Sequence, residues 1–255
     1  MTGAIVVATL NVRNTADRWR DRGPLLVEQL VALDPDVIAL QEVRRFPDQA
    51  RGIAREASRR RPDQPPWGMR TAYKTGPKRL WEGLAVLSRL PLDGDTGRLR
   101  LRGQSRVALR VTVVVPGGAT LDVYDVHLAD GDETVRSRQA RRLLEWTDER
   151  PDRPAVLTGD FNSRLGSAPI RILTARLRSA YAEVHGTEPP RTVVGDSETG
   201  TGPVLDYVFV NDRVEVLDAR VAFDQPAPDD PRRFPSDHFG LAVTIALTPP
   251  APAPG

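Results

Sequence analysis

Residues 4–42 read AIVVATLNVRNTADRWRDRGPLLVEQLVALDPDVIALQE, and this stretch decides the fold class. Its first apolar run, rich in β-branched residues, predicts a buried strand at residues 4–10 that leads into Asn11. A leucine and valine stripe with helical spacing follows, and a second apolar run at residues 36–40 leads into Glu42. Strand, helix and strand with polar residues at both strand ends is how α/β proteins build ligand sites. The stretch therefore predicts an α/β fold with a site at one edge of a sheet.

The rest of the chain continues this alternation of apolar runs and turn signals. The runs at residues 107–115 and 121–127 flank Pro116-Gly117-Gly118, which predicts a hairpin. Residues 186–203 and 224–235 are rich in proline, glycine and aspartate and predict long loops, which often carry function. Helices are predicted at residues 24–33, 133–146 and 168–177, and further strands at residues 84–87, 154–157, 204–210, 214–221 and 241–247.

The composition is that of a globular enzyme, because 40% of the 255 residues are hydrophobic and 27% are charged. No apolar run approaches the length of about 20 residues that a membrane span needs, and the N-terminus lacks a signal-peptide pattern. We therefore expect a cytoplasmic protein with no membrane span. The chain has no cysteine, which excludes disulfides, thiolate metal sites and a cysteine nucleophile.

The positive charge is almost entirely arginine, since Lys74 and Lys78 are the only lysines, and the formal net charge is +2. Arginine holds phosphate oxygens in a bidentate fork, which suits a phosphate-ester substrate. A GC-rich genome would produce the same bias, and no block of sequence concentrates the arginines as nucleic-acid-binding tails do. The bias alone therefore does not decide between these two explanations.

Polar side chains recur where the predicted strands end. Taken singly they have structural explanations: Asn11 as a turn residue, His127 as a packed imidazole and Asp206 as a hydrogen-bonded carboxylate. Brought together, they would form a cluster of four carboxylates, two amides and two imidazoles, in which the carboxylates repel one another without a cation. Because carboxylates dominate and cysteine is absent, the expected cation is Mg²⁺, with Mn²⁺ as the alternative. The cluster would comprise Asn11, Glu42, His127, Asp160, Asn162, Asp206, Asp237 and His238.

In this pattern the chain resembles the endonuclease/exonuclease/phosphatase superfamily. That superfamily includes deoxyribonucleases, abasic-site repair nucleases, bacterial sphingomyelinases, inositol-phosphate phosphatases and deadenylases. The ordered set of motifs is specific, because accidental matches would not respect the order along the chain. The matching segments are residues 9–13 (TLNVR), 36–42 (DVIALQE), 83–89 (GLAVLSR), 126–128 (VHL), 158–162 (TGDFN), 205–209 (LDYVF) and 235–239 (PSDHF).

The resemblance implies a four-layer α/β/β/α sandwich, in which two packed mixed β-sheets lie between helices and the site lies at one end of the sheets. It also implies one domain over residues 1–247, and the proline-rich tail at residues 248–255 is expected to be disordered. By the same resemblance Glu42 is the principal metal ligand, with Asn11 and Asp237 supporting the metal directly or through water.

The resemblance also implies the catalytic roles. The Asp160 carboxylate would orient and deprotonate the attacking water, while Asn162 donates hydrogen bonds to the phosphate. His238 would contact a phosphoryl oxygen, with Asp206 accepting from its other ring nitrogen. His127 would donate to another phosphoryl oxygen or help to protonate the leaving group. Which residue is the base stays open at this stage, because several coupled groups share the site.

The motifs also narrow the branch of the superfamily. Abasic-site nucleases usually have Asp or Asn two residues after the first Asn and a tyrosine-containing motif at the Val-His-Leu position, whereas this chain has Arg13 and His127 there. Inositol-polyphosphate phosphatases usually have a Trp-Cys-Asp-Arg element, whereas Asp206 here is followed by Tyr207. Both branches are disfavoured.

Three hypotheses remain for function. The first is a nuclease or related phosphodiesterase that acts on DNA or RNA, in which Arg232 and Arg233 would hold a second phosphate; surface arginines without that role are the alternative. The second is a phosphatase or sphingomyelinase-like phosphodiesterase with a small or lipid substrate. The third is a catalytically silent binding module, disfavoured because every expected catalytic position is filled. We expect a monomer.

Overall fold

The first of two β-sheets is mixed and has six strands. The computed structural model describes residues 3–74, 82–195 and 202–248. The strands of this sheet are β1 (Ile5–Asn11), β2 (Val37–Arg44), β3 (Gly68–Tyr73), β4 (Glu82–Ser88), β11 (Val214–Ala222) and β12 (Gly240–Leu247). Their order is β11-β12-β1-β2-β4-β3, and only the central neighbours β1 and β2 are parallel. That parallel pair needs a crossover connection, which the helix after β1 supplies.

The second sheet repeats this plan. Its strands are β5 (Leu92–Arg100), β6 (Val107–Val114), β7 (Thr120–His127), β8 (Ala155–Asp160), β9 (Arg178–Ser179) and β10 (Asp206–Val210). Their order is β5-β6-β7-β8-β10-β9, and again one central pair, β7 and β8, is parallel. The predicted hairpin is confirmed, since β6 and β7 are antiparallel neighbours.

Three apolar clusters hold four layers together. The inner cluster lies between the sheets and contains Val7, Val86, Leu109 and Val123 among its fully buried residues. Two outer clusters lie between each sheet and its helices. The helices are α1 (Trp19–Leu33) and α2 (Gln49–Arg60) on the first sheet, α3 (Glu133–Asp148) and α4 (Ala168–Thr174) on the second, and α5 (Ala180–His185) beside β10 and β11. Two packed mixed sheets with flanking helices confirm the predicted fold class.

Helix α1 corrects one predicted boundary. It begins at Trp19 rather than Pro24, so the proline lies inside the helix. The buried Arg22 guanidinium explains the extension, because it donates to the carbonyl oxygens of Ala16 and Asp17 just before the helix. It also reaches the carbonyl oxygen of Pro235, 213 residues along the chain. A tertiary contact thus sets the helix start.

Five elements were not predicted: α2, β3, β5, β9 and α5. The predicted loop at residues 224–235 has no regular element and contains only the bridge between Ala227 and Asp230. Residues 196–201 of the other predicted loop lie outside the described residues, as do residues 249–255 of the predicted tail. Within the described ranges, no helix is long and apolar enough to cross a membrane.

Candidate active site

The site lies where the parallel strand pairs of both sheets end. Asn11 is the last residue of β1 and is in register with Gln41 of β2. In the second sheet His127 of β7 is in register with Asp160 of β8, which in turn faces Asp206 of β10. Because the carboxyl ends of parallel strands meet at one edge, the fold brings predicted site residues from distant parts of the chain together.

Asn11 joins the two sheets. Its side-chain nitrogen Nδ2 donates to Glu42 Oε1 at 3.2 Å and to Asp160 Oδ2 at 3.0 Å. Its Oδ1 accepts from the backbone nitrogen of Arg13 at 2.9 Å, and its backbone oxygen accepts from Ser236 Oγ at 2.6 Å. This buried amide therefore fixes two carboxylates, one from each sheet, against each other.

The position of Glu42 depends on a bulge in β2, which continues beyond residue 40, where the sequence predicts its end. The strand runs on to Arg44, and its register against β4 shifts between Leu40 and Val43. Within this bulge Glu42 has φ 59°, the left-handed region that costs a side chain about 1–2 kcal/mol. The bulge redirects the carboxylate, so local backbone strain accompanies a candidate functional position.

The turn after β8 carries Asp160 and Asn162. A Cβ on Gly159, whose φ is +137°, would lie 2.0 Å from the Val126 carbonyl oxygen of the parallel strand, so only glycine allows this pairing. The backbone nitrogen of Asn162 donates to Asp160 Oδ1 at 2.8 Å, and its Nδ2 donates to the Leu128 carbonyl oxygen at 3.1 Å. One hydrogen of the Asn162 amide is therefore engaged, and the second remains for a ligand.

His238 has the environment of an imidazolium. Its Nδ1 lies 2.9 Å from Asp206 Oδ2, and both residues are buried. Burial lowers the pKa of His238, but the carboxylates of Asp206, Asp160 and Asp237 outweigh it and raise the pKa to about 10. The ring therefore carries a positive charge at neutral pH.

His127 has the opposite environment. Its pKa is held well below the ordinary value by burial and by the cations Arg106 and Lys74. Its Nε2 lies 3.4 Å from Asp160 Oδ2 and 3.9 Å from Glu42 Oε1. These surroundings favour the neutral form of His127. Paired titratable groups with opposite shifts are typical of acid and base chemistry.

The two carboxylates joined by Asn11 have raised pKa values. For Asp160, burial and the neighbouring Asp206 carboxylate raise the pKa to about 7. Burial, together with the Glu82 carboxylate, also raises the pKa of Glu42. Carboxylates held this close in a buried place are the donor set that a hard divalent cation prefers.

The donor atoms offer two possible metal sets. Ligand atoms of Asp160, Asp206 and His238 lie within 4.8 Å of one another, and Asp206 Oδ1 is buried without a hydrogen-bond partner among the described residues. The predicted set was Asn11, Glu42 and Asp237. In that set Asp237 Oδ2 accepts from Arg13 Nη1, and Oδ1 accepts from Ser236 Oγ. The structure thus brings Asp237 to the site as the partner of an arginine.

Three residues beside His127 were missed by sequence reasoning. Glu82 Oε1 lies 4.0 Å from His127 Nδ1 and pairs with Lys74 Nζ, and Arg106 Nη1 lies 3.5 Å from the same oxygen. Glu82 directly precedes the quoted GLAVLSR segment, but nothing in its own context marks it as a site residue. Arg106 Nη2 also lies 3.8 Å from Asp130 Oδ1, so two cations and two carboxylates form this flank of the site.

The two arginines predicted to bind substrate differ. Both line a depression of about 360 Å³ that also contains Arg13 and Asp237, so they are next to the site. Arg233 is paired with Asp229, whereas the Arg232 guanidinium has no partner among the described residues. Arg232 is therefore the one whose charge is free for a ligand.

The comparison with known families decides the chain's membership. A family model described as "Endonuclease/Exonuclease/phosphatase family" matches residues 8–238. The chain belongs to this family. Endonuclease/exonuclease/phosphatase proteins are hydrolytic enzymes of the phosphoesterase and nuclease type.

Two curated relatives illustrate the range of the family. Nocturnin of Drosophila melanogaster is 27% identical over 91% of this chain and 42% of its own length. The inositol phosphosphingolipids phospholipase C of Saccharomyces cerevisiae is 26% identical over 85% of this chain and 53% of its own length. The chain thus spans about half the length of these relatives.

Solved structures share the family fold. A functionally unknown conserved protein from Enterococcus faecalis superposes with a TM-score of 0.79 and 23% identity, covering 95% of this chain and 100% of its own. TDP2 of D. rerio, solved with a single-strand DNA product, has a TM-score of 0.76 and 19% identity, covering 96% and 100%. At such identities the likeness shows the fold alone.

Proposed function

We propose that this chain is a Mg²⁺-dependent phosphodiesterase that hydrolyses nucleic acid. The observation that carries the proposal is the buried junction at Asn11, which holds Glu42 and Asp160 together with neutral His127 nearby and cationic His238 beside Asp160. Phosphate-ester anions repel nucleophiles and gain charge on their equatorial oxygens in the transition state. A metal cation and preorganised hydrogen-bond donors around the phosphoryl group offset that charge.

Glu42 would hold the metal, with Asn11 and Asp237 beside it. The fit rests on the Glu42 carboxylate, whose pKa is raised by burial, on the absence of cysteine, and on the unpartnered oxygen of Asp206, which lies beside Asp160. When bound, Mg²⁺ supplies charge neutralisation at the phosphoryl oxygens. The second set, Asp160, Asp206 and His238, is the alternative position, where His238 would have to lose its proton to bind the metal.

The chain's own residues divide the remaining work. Asp160 accepts a proton from the attacking water, whose oxygen forms the new bond to phosphorus as the bond to the leaving oxygen breaks. The His238 cation, oriented by Asp206, stabilises a phosphoryl oxygen. The free hydrogen of the Asn162 amide and the N–H of neutral His127 would donate hydrogen bonds to the other oxygens. The leaving oxygen would take its proton from solvent.

A nucleic-acid substrate is supported by two features. The unpartnered Arg232 lines a depression next to Asp237, where a second phosphate would lie. TDP2, which has the same fold, was solved with single-strand DNA. The yeast relative named as a phospholipase favours the second candidate, a lipid or small phosphate ester as substrate.

The test is hydrolysis of supercoiled plasmid, a 30-nucleotide single strand, and a panel of phosphomonoesters, phosphodiesters and sphingomyelin, each with Mg²⁺ or EDTA. Glu42→Ala and His238→Ala should each lower kcat by about a hundredfold or more. His185→Ala is the matched control, because His185 lies outside the site, where it packs on Tyr181 and hydrogen-bonds the Ala219 carbonyl oxygen.

Metal-dependent cleavage of DNA or RNA that both site variants lose would support the proposal. Turnover confined to a lipid or small phosphate ester would support the proposed catalytic site but contradict the proposed nucleic-acid substrate. If no substrate turns over and calorimetry detects no Mg²⁺ binding, the chain is a silent binding module.

A further inference from the structure

A basic groove runs along the outer side of α3. It has a volume of about 580 Å³ and lies between α3 and the segment after β5. Four arginines and one glutamate supply its charges: Arg102, Arg138, Arg141, Arg142 and Glu145. We call this feature the α3 groove.

The arginines of the α3 groove are exposed, and none of the four guanidinium groups makes an ion pair or hydrogen bond with the described residues. Several arginines elsewhere in the described chain are paired, for example Arg89 with Asp34 and Arg178 with Glu183. Like charges three and four residues apart on one helix face destabilise the helix. Glu145, four residues after Arg141, offsets part of this repulsion. The remaining excess of positive charge has an energetic cost that an anionic ligand would offset.

One wall residue of the α3 groove, Gln139, is bonded to the chain segment that leaves β7 after His127. Buried Gln139 of α3 donates to the carbonyl oxygens of Arg102 at 3.0 Å and Gly103 at 3.2 Å. The same side chain accepts from the backbone nitrogen of Ala129 at 2.9 Å, two residues after His127. Gln139 thus fixes α3, the segment after β5 and the segment after β7 relative to each other.

We propose that the α3 groove binds the sugar-phosphate backbone of a nucleic-acid strand beyond the scissile bond, on the His127 side of the site. The inference rests on the proposed function and extends it from one phosphodiester to a strand. Arginine is suited to phosphate contacts that carry no sequence information. The site would then prefer long strands over dinucleotides and would read no base sequence through this groove.

The observations favour a nucleic acid over an anionic membrane. An interfacial helix needs an exposed apolar face, but Ala140, Leu143 and Trp146 of α3 are buried against the second sheet. The large hydrophobic side chains that are exposed on the described chain, Phe46, Leu165, Val184 and Leu217, do not line the groove.

The test compares two triple variants that remove equal charge. Arg138→Gln, Arg141→Gln and Arg142→Gln change the groove, while Arg20→Gln, Arg55→Gln and Arg220→Gln change exposed arginines elsewhere. Binding of a labelled 30-nucleotide strand is measured by fluorescence anisotropy in EDTA between 50 and 200 mM salt. The groove triple should weaken binding on the order of tenfold or more at 50 mM salt. It should also reduce the slope of log Kobs against log salt by about 2, because each lost phosphate contact removes roughly 0.7–0.9.

Two further arms separate binding from folding damage and from catalysis. Lysine at the same three groove positions should restore most of the affinity, since lysine also binds phosphate. Hydrolysis of bis(p-nitrophenyl) phosphate should be unchanged in the groove triple, because that substrate is too short to reach the groove.

The outcomes distinguish this inference from the proposed function. Equal affinity and salt slope in both triples would overturn the groove inference alone, even if wild type cleaves DNA. Binding through the groove without any Mg²⁺-dependent cleavage would overturn the proposed function and support the groove. If the groove triple lost binding to phosphatidylserine vesicles but kept its oligonucleotide affinity, the ligand of the groove would be an anionic membrane and the nucleic-acid inference would be wrong.

Discussion

Asp125 is a buried carboxyl group with few partners. Its Oδ1 accepts from Gln41 Nε2 at 2.7 Å, and that nitrogen also donates to Thr9 Oγ1 at 3.0 Å. Asp125 Oδ2 is buried with no hydrogen-bond partner among the described residues. Burial raises the pKa of Asp125 well above its ordinary value, and this effect outweighs the Gln41 side chain and the Ala85 backbone N–H, which lower it. Through Gln41 of β2 the Asp125 carboxyl of β7 links the two sheets, and its ionisation opposes folding.

Asp125→Asn should therefore stabilise the protein at neutral pH. As pH rises above about 4, the unfolded chain releases this proton first, so the stability of wild type falls until the raised folded-state pKa is passed. Asparagine keeps the acceptor oxygen and never ionises. Urea unfolding at pH 4.5, 6 and 7.5 should show an advantage of the variant that grows with pH. A difference that stays constant or shrinks over this range would show that Asp125 ionises normally.

Asp122→Asn is the matched control for this prediction. Asp122 is equally buried, but it accepts from Thr112 Oγ1 at 2.6 Å and pairs with Arg150 Nε at 3.2 Å. Removing the Asp122 charge leaves the largely buried Arg150 short of one partner. Asp122→Asn should therefore lower the free energy of unfolding by about 1–3 kcal/mol. Opposite signs for two buried aspartates would show that the partner, not burial alone, decides the effect.

At the scale of the element, the bulge in β2 has a separable cost. Glu42 holds a left-handed φ of 59° in a strand, which an L-residue adopts only when its surroundings impose it. Glu42→Gly should be more stable than Glu42→Ala by about 1 kcal/mol, because glycine adopts the left-handed φ without strain. The full relief of strain is larger, but glycine also gives the unfolded chain more conformational entropy, which offsets part of it. Both variants lack the carboxylate, so both should be inactive. Chemical denaturation measures the difference, and an alanine variant at least as stable as the glycine variant would disprove strain at this bulge.

The elements that sequence reasoning predicted are those with strong apolar patterns, and the missed ones have weak patterns for physical reasons. Strands β3 and β5 form sheet edges, and β5 exposes most of its polar and glycine-rich sequence. Neither needs the apolar alternation of a central strand. Helix α2 did carry a signal, since Ala50, Ile53, Ala54 and Ala57 repeat with helical spacing after Asp48.

The same reasoning applies to the site. Motif order predicted which residues converge, and the structure places Asn11, Glu42, Asp160 and His127 within hydrogen-bond or ion-pair reach of one another. Their catalytic and metal-binding roles stay predictions. The Glu82 cluster and the opposite charge states of the two histidines depend on long-range neighbours such as Arg106, which no local pattern indicates.

At the scale of the whole molecule, the site is shared between two sheets whose relative position is set by the core between them. The inner cluster takes residues from strands as far apart in sequence as β1 and β12. Cooperative unfolding in a single transition would support the prediction that residues 1–247 form one domain. The 3.0 Å hydrogen bond between Asn11 and Asp160 joins the two sheets, so its geometry depends on how closely the sheets pack.

A cavity between the sheets should therefore impair catalysis more than an equal cavity in an outer layer. Leu109 belongs to the inner cluster and Leu30 to the layer between α1 and the first sheet, and both are fully buried. Each leucine-to-alanine change should cost about 2–5 kcal/mol of stability. At a temperature where both variants remain folded, Leu109→Ala should lower kcat on bis(p-nitrophenyl) phosphate about tenfold, because small displacements of catalytic groups are costly. Leu30→Ala should stay within about twofold of wild type, since its cavity leaves the Asn11 junction in place. Equal kcat values in the two variants would mean that the site is held by its own hydrogen bonds, and that the packing of the sheets does not control it.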